Sequence, residues 1–255
     1  MLPFRRPQPP RNDLCLLRIH KTGSQSFRRY YSSAFRQEPP ANSSFGHNIT
    51  ADMASCSRFL APHMSLAGWR AVAPSSGHVV AVTLRHPVAR LRSAYRYFSL
   101  KSIDHVTGVG ALLADMDYEA FLADDRDDIR ALKDNVITRF TGGGQFRPGP
   151  EGRNKLDLPP GTSFEATVDV VVAEAEASRF HPLVLELANK SIRRLNAALG
   201  YAGKVALPHL NKSKSRWSGP ESQEPSLQEE PWVRHDMVIY ERMRALVETD
   251  ARHTD

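Results

Sequence analysis

A short polar stretch rich in oxyanion-binding groups follows the first apolar run of the sequence. The run is Leu14–Leu17, continued by Ile19, and residues 20–26 then read His-Lys-Thr-Gly-Ser-Gln-Ser. Apolar residues next recur at positions 27, 30, 31, 34 and 35, which is the spacing of one helix face. A buried strand, a tight turn and a helix direct backbone N–H groups and a positive helix end towards one point. Such a point binds phosphate or sulfate, and Lys21 would add a full positive charge.

A second cationic residue follows another apolar run. The β-branched stretch Val79–Leu84 is typical of a buried strand, and Arg85 comes directly after it. Pro87 suits a first helical turn, and apolar residues continue at helical spacing through position 98. Arg85 is therefore expected at the carboxyl end of a strand, where open α/β sheets bind ligands, with Ser93 two turns into the next helix. We predict that residues 14–19 and Val79–Leu84 are neighbouring central strands of a mainly parallel sheet.

The bare pattern of the first turn leaves alternatives open. A Walker A loop places its lysine after the second of two glycines, whereas Lys21 precedes Gly23, the turn's one glycine. A kinase of the P-loop type would also need a carboxylate to hold Mg²⁺, which the sequence does not clearly show. An ordinary strand-to-helix turn with a solvated lysine has the same local sequence features.

Two stretches together resemble one enzyme family. HKTGSQSF resembles the 5′-phosphosulfate loop of the sulfotransferases that use 3′-phosphoadenosine 5′-phosphosulfate (PAPS). TLRHPVARLRSAYRYF resembles their 3′-phosphate motif, an arginine followed eight residues later by a serine. The resemblance is to the carbohydrate branch, which includes the heparan sulfate 2-O- and 6-O-sulfotransferases and bacterial relatives. It implies an α/β, P-loop-like three-layer fold with a mainly parallel central sheet flanked by helices.

The same resemblance implies the reaction and the donor site. A sulfuryl group would move in line from PAPS to a hydroxyl of a carbohydrate, a glycan or another small molecule, with a histidine as general base and no metal. Lys21 would act on the donor phosphate as a catalytic residue. Cofactor binding is assigned to Lys21, Thr22, Gly23, Ser24, Gln25, Ser26, Arg85, Ser93, Asn211 and Ser213. The last two belong to a stretch similar to the family's Pro-His-x-Asn-x-Ser loop.

The resemblance also suggests the catalytic base and the acceptor contacts. The family carries its base near the end of the second strand, often in a Gly-His pair, and His63 follows Pro62 at that place. His47 and His20 stay open as alternative bases. An Asn-x-x-x-Arg helix is matched by Asn135 and Arg139, which are predicted to bind substrate. The sequence does not choose among polysaccharide, lipid-linked glycan and small metabolite as the acceptor.

Length and composition limit the remaining functional classes. The 255 residues suit one sulfotransferase domain, 13–250, after a flexible tail, 1–12. The formal charge of +6 favours an anionic partner without choosing one, so a non-catalytic polyanion-binding module stays an alternative. The aromatic clusters fall on predicted helix faces, which is typical of a core, and no nucleic-acid partner is predicted. Two cysteines provide neither a disulfide framework nor zinc-ligand spacing.

The sequence lacks both a long apolar run and an apolar signal core. We therefore expect a soluble, cytoplasmic protein of bacterial type with no membrane span, or else a trimmed form of an anchored one. Five further elements are predicted from local patterns. They are a short strand at Phe59–Leu60, a helix at Leu66–Val72, a core strand at 168–172, a helix over 181–199 and a closing helix at 238–247.

Overall fold

A four-stranded parallel sheet forms the centre of the computed structural model, which describes residues 8–40, 49–99, 112–113, 115–148, 154–208, 227 and 229–250. The strands of this sheet are β1 (Leu14–Leu17), β2 (Phe59–Leu60), β3 (Val79–Leu84) and β6 (His181–Val184). Their order is β2-β1-β3-β6, and every pairing is parallel. A separate antiparallel hairpin joins β4 (Gln145–Pro148) to β5 (Asn154–Asp157). The predicted α/β class is confirmed, and so is the adjacency of β1 and β3.

Helices cover both faces of the sheet. They are α1 (Ser24–Phe35), α2 (Ala51–Cys56), α3 (Leu66–Val72), α4 (Pro87–Phe98), α5 (Tyr118–Ala123), α6 (Asp127–Lys133), α7 (Val136–Thr141), α8 (Phe164–Glu176), α9 (Ala188–Ala198) and α10 (Arg234–Asp250). Alternate residues of β1 pack on opposite sides. Leu14 and Leu16 join the cluster of α1 and α9, whereas Cys15 and Leu17 join that of α7, α8 and α10. Because both faces are buried, β1 is apolar throughout.

The prediction of a core strand at 168–172 is wrong, because these residues lie inside α8. The buried residues of α8 are Thr167, Val168, Val171 and Ala175, which recur at helical spacing, while Val170 is 58% exposed. The Ser163 side chain accepts a hydrogen bond from the Ala166 N–H and begins the helix. The β-branched composition indicated a strand, but the N-cap and the one-sided burial produce a helix.

The predicted helix over 181–199 is wrong in its first residues. Residues His181–Val184 form β6, which pairs with β3 in the register Ala81↔His181 to Leu84↔Val184. A 3₁₀ turn at Leu185–Leu187 follows, and α9 begins only at Ala188. A four-residue apolar run carries too little periodicity to distinguish a strand from the start of a helix. The predicted stop is close to the observed one, since Gly200 has a positive φ of 60° just beyond α9.

Three other predicted elements are confirmed. β2 and α3 have the expected bounds, and residues 238–247 lie within α10. Of the predicted tail, residues 1–7 lie outside the described residues, whereas the N–H groups of Arg11 and Asn12 both donate to the Leu199 carbonyl. Within the ranges that the structure describes, no helix combines the length and the apolar composition needed to cross a bilayer.

Candidate functional site

The carboxyl ends of three neighbouring strands bring the candidate residues to one edge of the sheet. The loop 18–23 follows β1, His63 follows β2 and Arg85 follows β3. Because the strands are parallel, their carboxyl ends lie at the same edge. The strand order places β1 between the other two, so the loop lies between His63 on one side and Arg85 on the other.

The loop turns sharply at two left-handed residues. Lys21 has φ 67° and Gly23 has φ 72°, and α1 begins directly after Gly23. The φ of Gly23 favours glycine, and a Cβ atom there would lie 2.6 Å from Leu185 Cδ1, so that side chain would have to move. Among the hydrogen bonds of the described residues, none starts from the N–H groups of residues 21–25. The loop therefore presents a set of N–H donors at the positive end of α1.

The polar side chains of the loop have different environments. Thr22 Oγ1 donates to the Ile19 carbonyl at 2.8 Å and lies 2.7 Å from Thr83 Oγ1, which in turn accepts from the Ile19 N–H. The Thr22 hydroxyl thus attaches the loop to β3. Ser24 and Ser26 are buried, and Gln25 is exposed. The Ser26 N–H donates back to the Gly23 carbonyl, so that donor is used within the turn.

Lys21 extends towards α4. Its Nζ lies 3.8 Å from the centroid of the Tyr97 ring, and its carbonyl accepts a hydrogen bond from Arg85 Nη1 at 3.3 Å. Burial, together with the positive charge of Arg85, lowers the pKa of Lys21 to about 8. An incoming anion would oppose both effects and favour the charged form of Lys21. Sequence reasoning missed Tyr97, because its position on a helix face suggested a core residue.

Arg85 lies beside the loop at the end of β3. Burial lowers the pKa of its guanidinium, the charge of Glu186 opposes that effect, and Arg96 adds to it. Glu186 also accepts a hydrogen bond from the His86 N–H at 3.0 Å, next to the start of α4. Ser93 lies on α4 and is half-buried. Glu186 was not predicted, and its position after β6 carried no sequence signal.

His63 is held by one hydrogen bond and one ring contact. Its Nδ1 lies 2.7 Å from the Arg18 carbonyl oxygen, and its ring stacks on His20 with centroids 4.2 Å apart and planes 4° apart. A carbonyl oxygen only accepts, so Nδ1 carries the hydrogen and Nε2 keeps a lone pair. Burial lowers the pKa of His63 well below its usual value, and the charges of His20 and Arg18 lower it further. The neutral ring with a basic Nε2 is the form a general base needs.

Burial leaves Arg18 as an unpaired cation behind this pair. Its side chain is 1% exposed, and neither Nε nor Nη1 has a hydrogen-bond partner among the described residues. Burial and the charge of Arg28 lower the pKa of Arg18 to about 10. A buried guanidinium that lacks a carboxylate partner among the described residues is costly, and an anionic ligand nearby would offset part of that cost. Sequence reasoning missed Arg18, although a charged residue within the apolar run 14–19 is itself a signal.

The two residues predicted to bind substrate have structural contacts elsewhere. Asn135 is buried, its Nδ2 donates to the carbonyl of Pro231 and to Asp134, and its Oδ1 accepts from the N–H groups of His235 and Asp236. These bonds join α7 to the start of α10. The Arg139 guanidinium pairs with Asp134 and lies over the Phe164 ring at 5.1 Å. Substrate binding by Asn135 and Arg139 stays a prediction.

Three predicted site residues, His47, Asn211 and Ser213, lie outside the described residues. Within the described ranges, no group of three or more His, Cys, Asp or Glu side chains is arranged to hold a metal ion. The groups that the structure does bring together are N–H donors, Lys21 and Arg85, which suit phosphate or sulfate oxygens. No family model, curated protein or solved structure matches this chain.

Proposed function

We propose that this protein is a PAPS-dependent sulfotransferase with a P-loop-like fold. One observation carries the proposal. The loop with its open N–H groups and Lys21 lies between Arg85, at the end of β3, and His63, whose Nε2 is the free base. Two anion-binding groups on one side and a base on the other are what transfer from a doubly phosphorylated donor requires. The resemblance of residues 20–27 and 83–98 to the family's two donor motifs supports the same reading.

The donor carries two separate anionic groups, and the site offers two separate sets of partners. The N–H groups of residues 21–25 and the Lys21 ammonium suit the 5′-phosphosulfate. Arg85 suits the 3′-phosphate, because a guanidinium forms two parallel hydrogen bonds with an oxyanion, and Ser93 would add a neutral donor.

The residues divide the chemistry between them. His63 Nε2 accepts the proton of the acceptor hydroxyl while a bond forms between the acceptor oxygen and sulfur. The bond between sulfur and the bridging oxygen of the 5′-phosphate breaks, and Lys21 stabilises the negative charge left on that oxygen. In-line displacement needs the base and the leaving group on opposite sides of the sulfur. The order β2-β1-β3 supports this arrangement, because His63 lies on the β2 side of the loop whose N–H groups and Lys21 would hold the leaving phosphate.

The acceptor is proposed to be the hydroxyl of a glycan or another small molecule. The assignment to the carbohydrate branch depends on the resemblance of the donor motifs. No nucleic acid is proposed as a partner, because the aromatic residues of α1 and most of those of α4 pack in the core.

Calorimetric titration of the whole chain in EDTA tests this function. We expect 3′,5′-ADP to bind in the absence of divalent cations and ATP to bind far more weakly. If binding required Mg²⁺, or if ATP competed equally well, a P-loop kinase would replace the proposal. If a short oligonucleotide or a heparin fragment bound tightly and 3′,5′-ADP did not, the chain would be a polyanion-binding module. Transfer of labelled sulfate from PAPS to a panel of glycans would then identify the acceptor.

A further inference from the structure

We propose that His20 is a positioning residue for His63, and that the two stacked imidazoles form one unit in which only His63 accepts the acceptor's proton. The role of His63 as the base that acts on an acceptor rests on the proposed function. The positioning of His63 by His20 rests on the geometry of the two rings. The ring centroids are 4.2 Å apart and the planes differ by 4°, so the rings lie face to face.

The backbone at His63 is held, because His63 forms a β-bridge and the Arg18 N–H donates to the Pro62 carbonyl at 2.9 Å, so the direction of the ring is what a second contact must fix. β2 has only two residues, which pair with Leu14 and Cys15, and His63 lies three positions beyond it. The hydrogen bond from Nδ1 to the Arg18 carbonyl fixes one point of the ring. A hydrogen bond tolerates tens of degrees of misalignment, so this bond alone restricts the ring plane without fixing it, and a tilt of the plane would move Nε2. Contact with the flat face of His20 fixes the plane, so the two contacts together determine where Nε2 points.

The loop turn directs His20 to this place. Lys21 adopts the left-handed conformation directly after His20, and the two side chains separate. Lys21 reaches Tyr97 on α4, while His20 reaches His63 beyond β2. No hydrogen bond of His20 is found among the described residues. Neither ring nitrogen of His20 is therefore oriented by a described partner. The Arg18 carbonyl, in contrast, determines the tautomer of His63. Because of this difference we assign His63 as the base and His20 as the residue that positions it.

The surrounding charges keep the pair neutral. Partial enclosure of the ring by the protein lowers the pKa of His20, and the charges of Arg18, of Arg90 on α4 and of the neighbouring Lys21 lower it further. His63 is faced by Arg18 and by His20 itself. Two protonated rings at this distance would repel, so a neutral pair is the state in which the stack persists. His20 keeps access to solvent, which makes it open to substitution without loss of the core.

The test compares His20→Phe, which keeps a flat ring, with His20→Ala and His20→Leu, which remove it. Histidine-labelled protein without ligand is followed by NMR, and the readout is the tautomer of His63. We expect parent and His20→Phe to show the Nδ1–H form, and the other two variants to populate the Nε2–H form. Turnover should fall about two- to tenfold in His20→Ala and His20→Leu, the range of one aromatic pair, and recover in His20→Phe.

Two results would overturn the proposal. One is an unchanged His63 tautomer and turnover in His20→Ala and His20→Leu. The other is a His20→Phe variant that behaves like them, since His20 would then act through its nitrogens. Binding of 3′,5′-ADP to the parent is measured in parallel. If the parent does not bind it, the proposed donor site fails, while the tautomer comparison still decides whether the stack positions His63.

Discussion

The two sides of the loop are built very differently. On the β3 side, six residues of strand, the Thr22–Thr83 hydroxyl pair and the Arg85 bond to the Lys21 carbonyl hold the loop in place. On the β2 side, the strand has two residues and His63 lies beyond it in a single β-bridge, with one side-chain hydrogen bond and one stacked ring described for it. The proposed donor side is thus made rigid by backbone and buried side chains. The proposed acceptor side depends on a few side-chain contacts, which allows its geometry to vary with the acceptor.

Removal of the base should separate the two sides most clearly. We expect His63→Ala to lower turnover by roughly 10²–10⁴, the usual contribution of a positioned general base, while the dissociation constant for 3′,5′-ADP stays within a few-fold. The matched control is His78→Ala, because His78 bonds the Ser57 carbonyl away from the loop. Steady-state kinetics and calorimetry provide the two measurements. A large loss of 3′,5′-ADP affinity in His63→Ala would place His63 on the donor side instead.

The acidic limb of the pH profile reports the same residue. Burial lowers the pKa of His63, and the ring must lose its proton to act as a base. The parent's kcat/KM should therefore rise with pH through a midpoint below 6.5 and be flat near neutrality. The profile is measured on parent and His63→Ala, and the mutant should lose that limb. A midpoint above 6.5 in the parent would contradict the buried, cation-flanked environment.

Distortion of the turn should damage the donor side. Gly23→Ala introduces a Cβ at φ 72° and 2.6 Å from Leu185, and we expect it to destabilise the fold by roughly 1–3 kcal/mol and to weaken 3′,5′-ADP binding. Gly161→Ala has the same kind of φ with open space around it, and Gly77→Ala has neither problem. Urea denaturation gives the free energy of unfolding of the three variants. The loss in Gly161→Ala measures the backbone strain, and the additional loss in Gly23→Ala measures the collision with Leu185. Equal stability of Gly23→Ala and Gly77→Ala would show that the loop is not rigid.

The 3′-phosphate contacts should rank by charge. Arg85→Ala is expected to weaken 3′,5′-ADP binding by roughly 1.5–3 kcal/mol, and Ser93→Ala by about 1, because hydrogen bonds from charged donors are the stronger ones. Arg92→Ala, on the same helix as Ser93, provides a comparison for general loss of positive charge. The dissociation constant for 3′,5′-ADP is measured for each variant at two salt concentrations, which separates a direct phosphate contact from a general effect of charge. If the two main substitutions cost the same, Arg85 is not the phosphate clamp.

The smallest effect is expected at Tyr97. Tyr97→Leu removes the ring under the Lys21 ammonium but keeps apolar bulk, so the pKa of Lys21 should fall further below its value of about 8. A cation–π contact at a partly exposed site contributes about 0.5–1 kcal/mol, which is less than one pKa unit. The pH dependence of amine labelling at Lys21, read by mass spectrometry, measures the shift. Tyr97→Phe keeps the ring and should match the parent; a shift there would assign the effect to the hydroxyl.

Local sequence was sufficient for the central part of this site. The apolar runs at β1 and β3, the polar turn between them and α1, and Pro87 at the start of α4 all follow from periodicity and local conformational preference. The glycine at position 23 is also partly predictable from local sequence, because a sharp turn into a helix often needs a residue in the left-handed conformation. These features predict the strand-turn-helix unit and the position of Arg85 without knowledge of any other contact.

Only the tertiary structure determined the rest, because the interacting residues are far apart in the chain. The Thr22–Thr83 pair joins residues 61 positions apart, and the His63 bond to Arg18 spans 45. No local pattern encodes the stack of His20 on His63. The same limit explains the wrong strand at 168–172 and the strand found at His181–Val184. Whether a short β-branched or apolar run forms a strand or a helix depends on how it packs against the neighbouring sheet and helices.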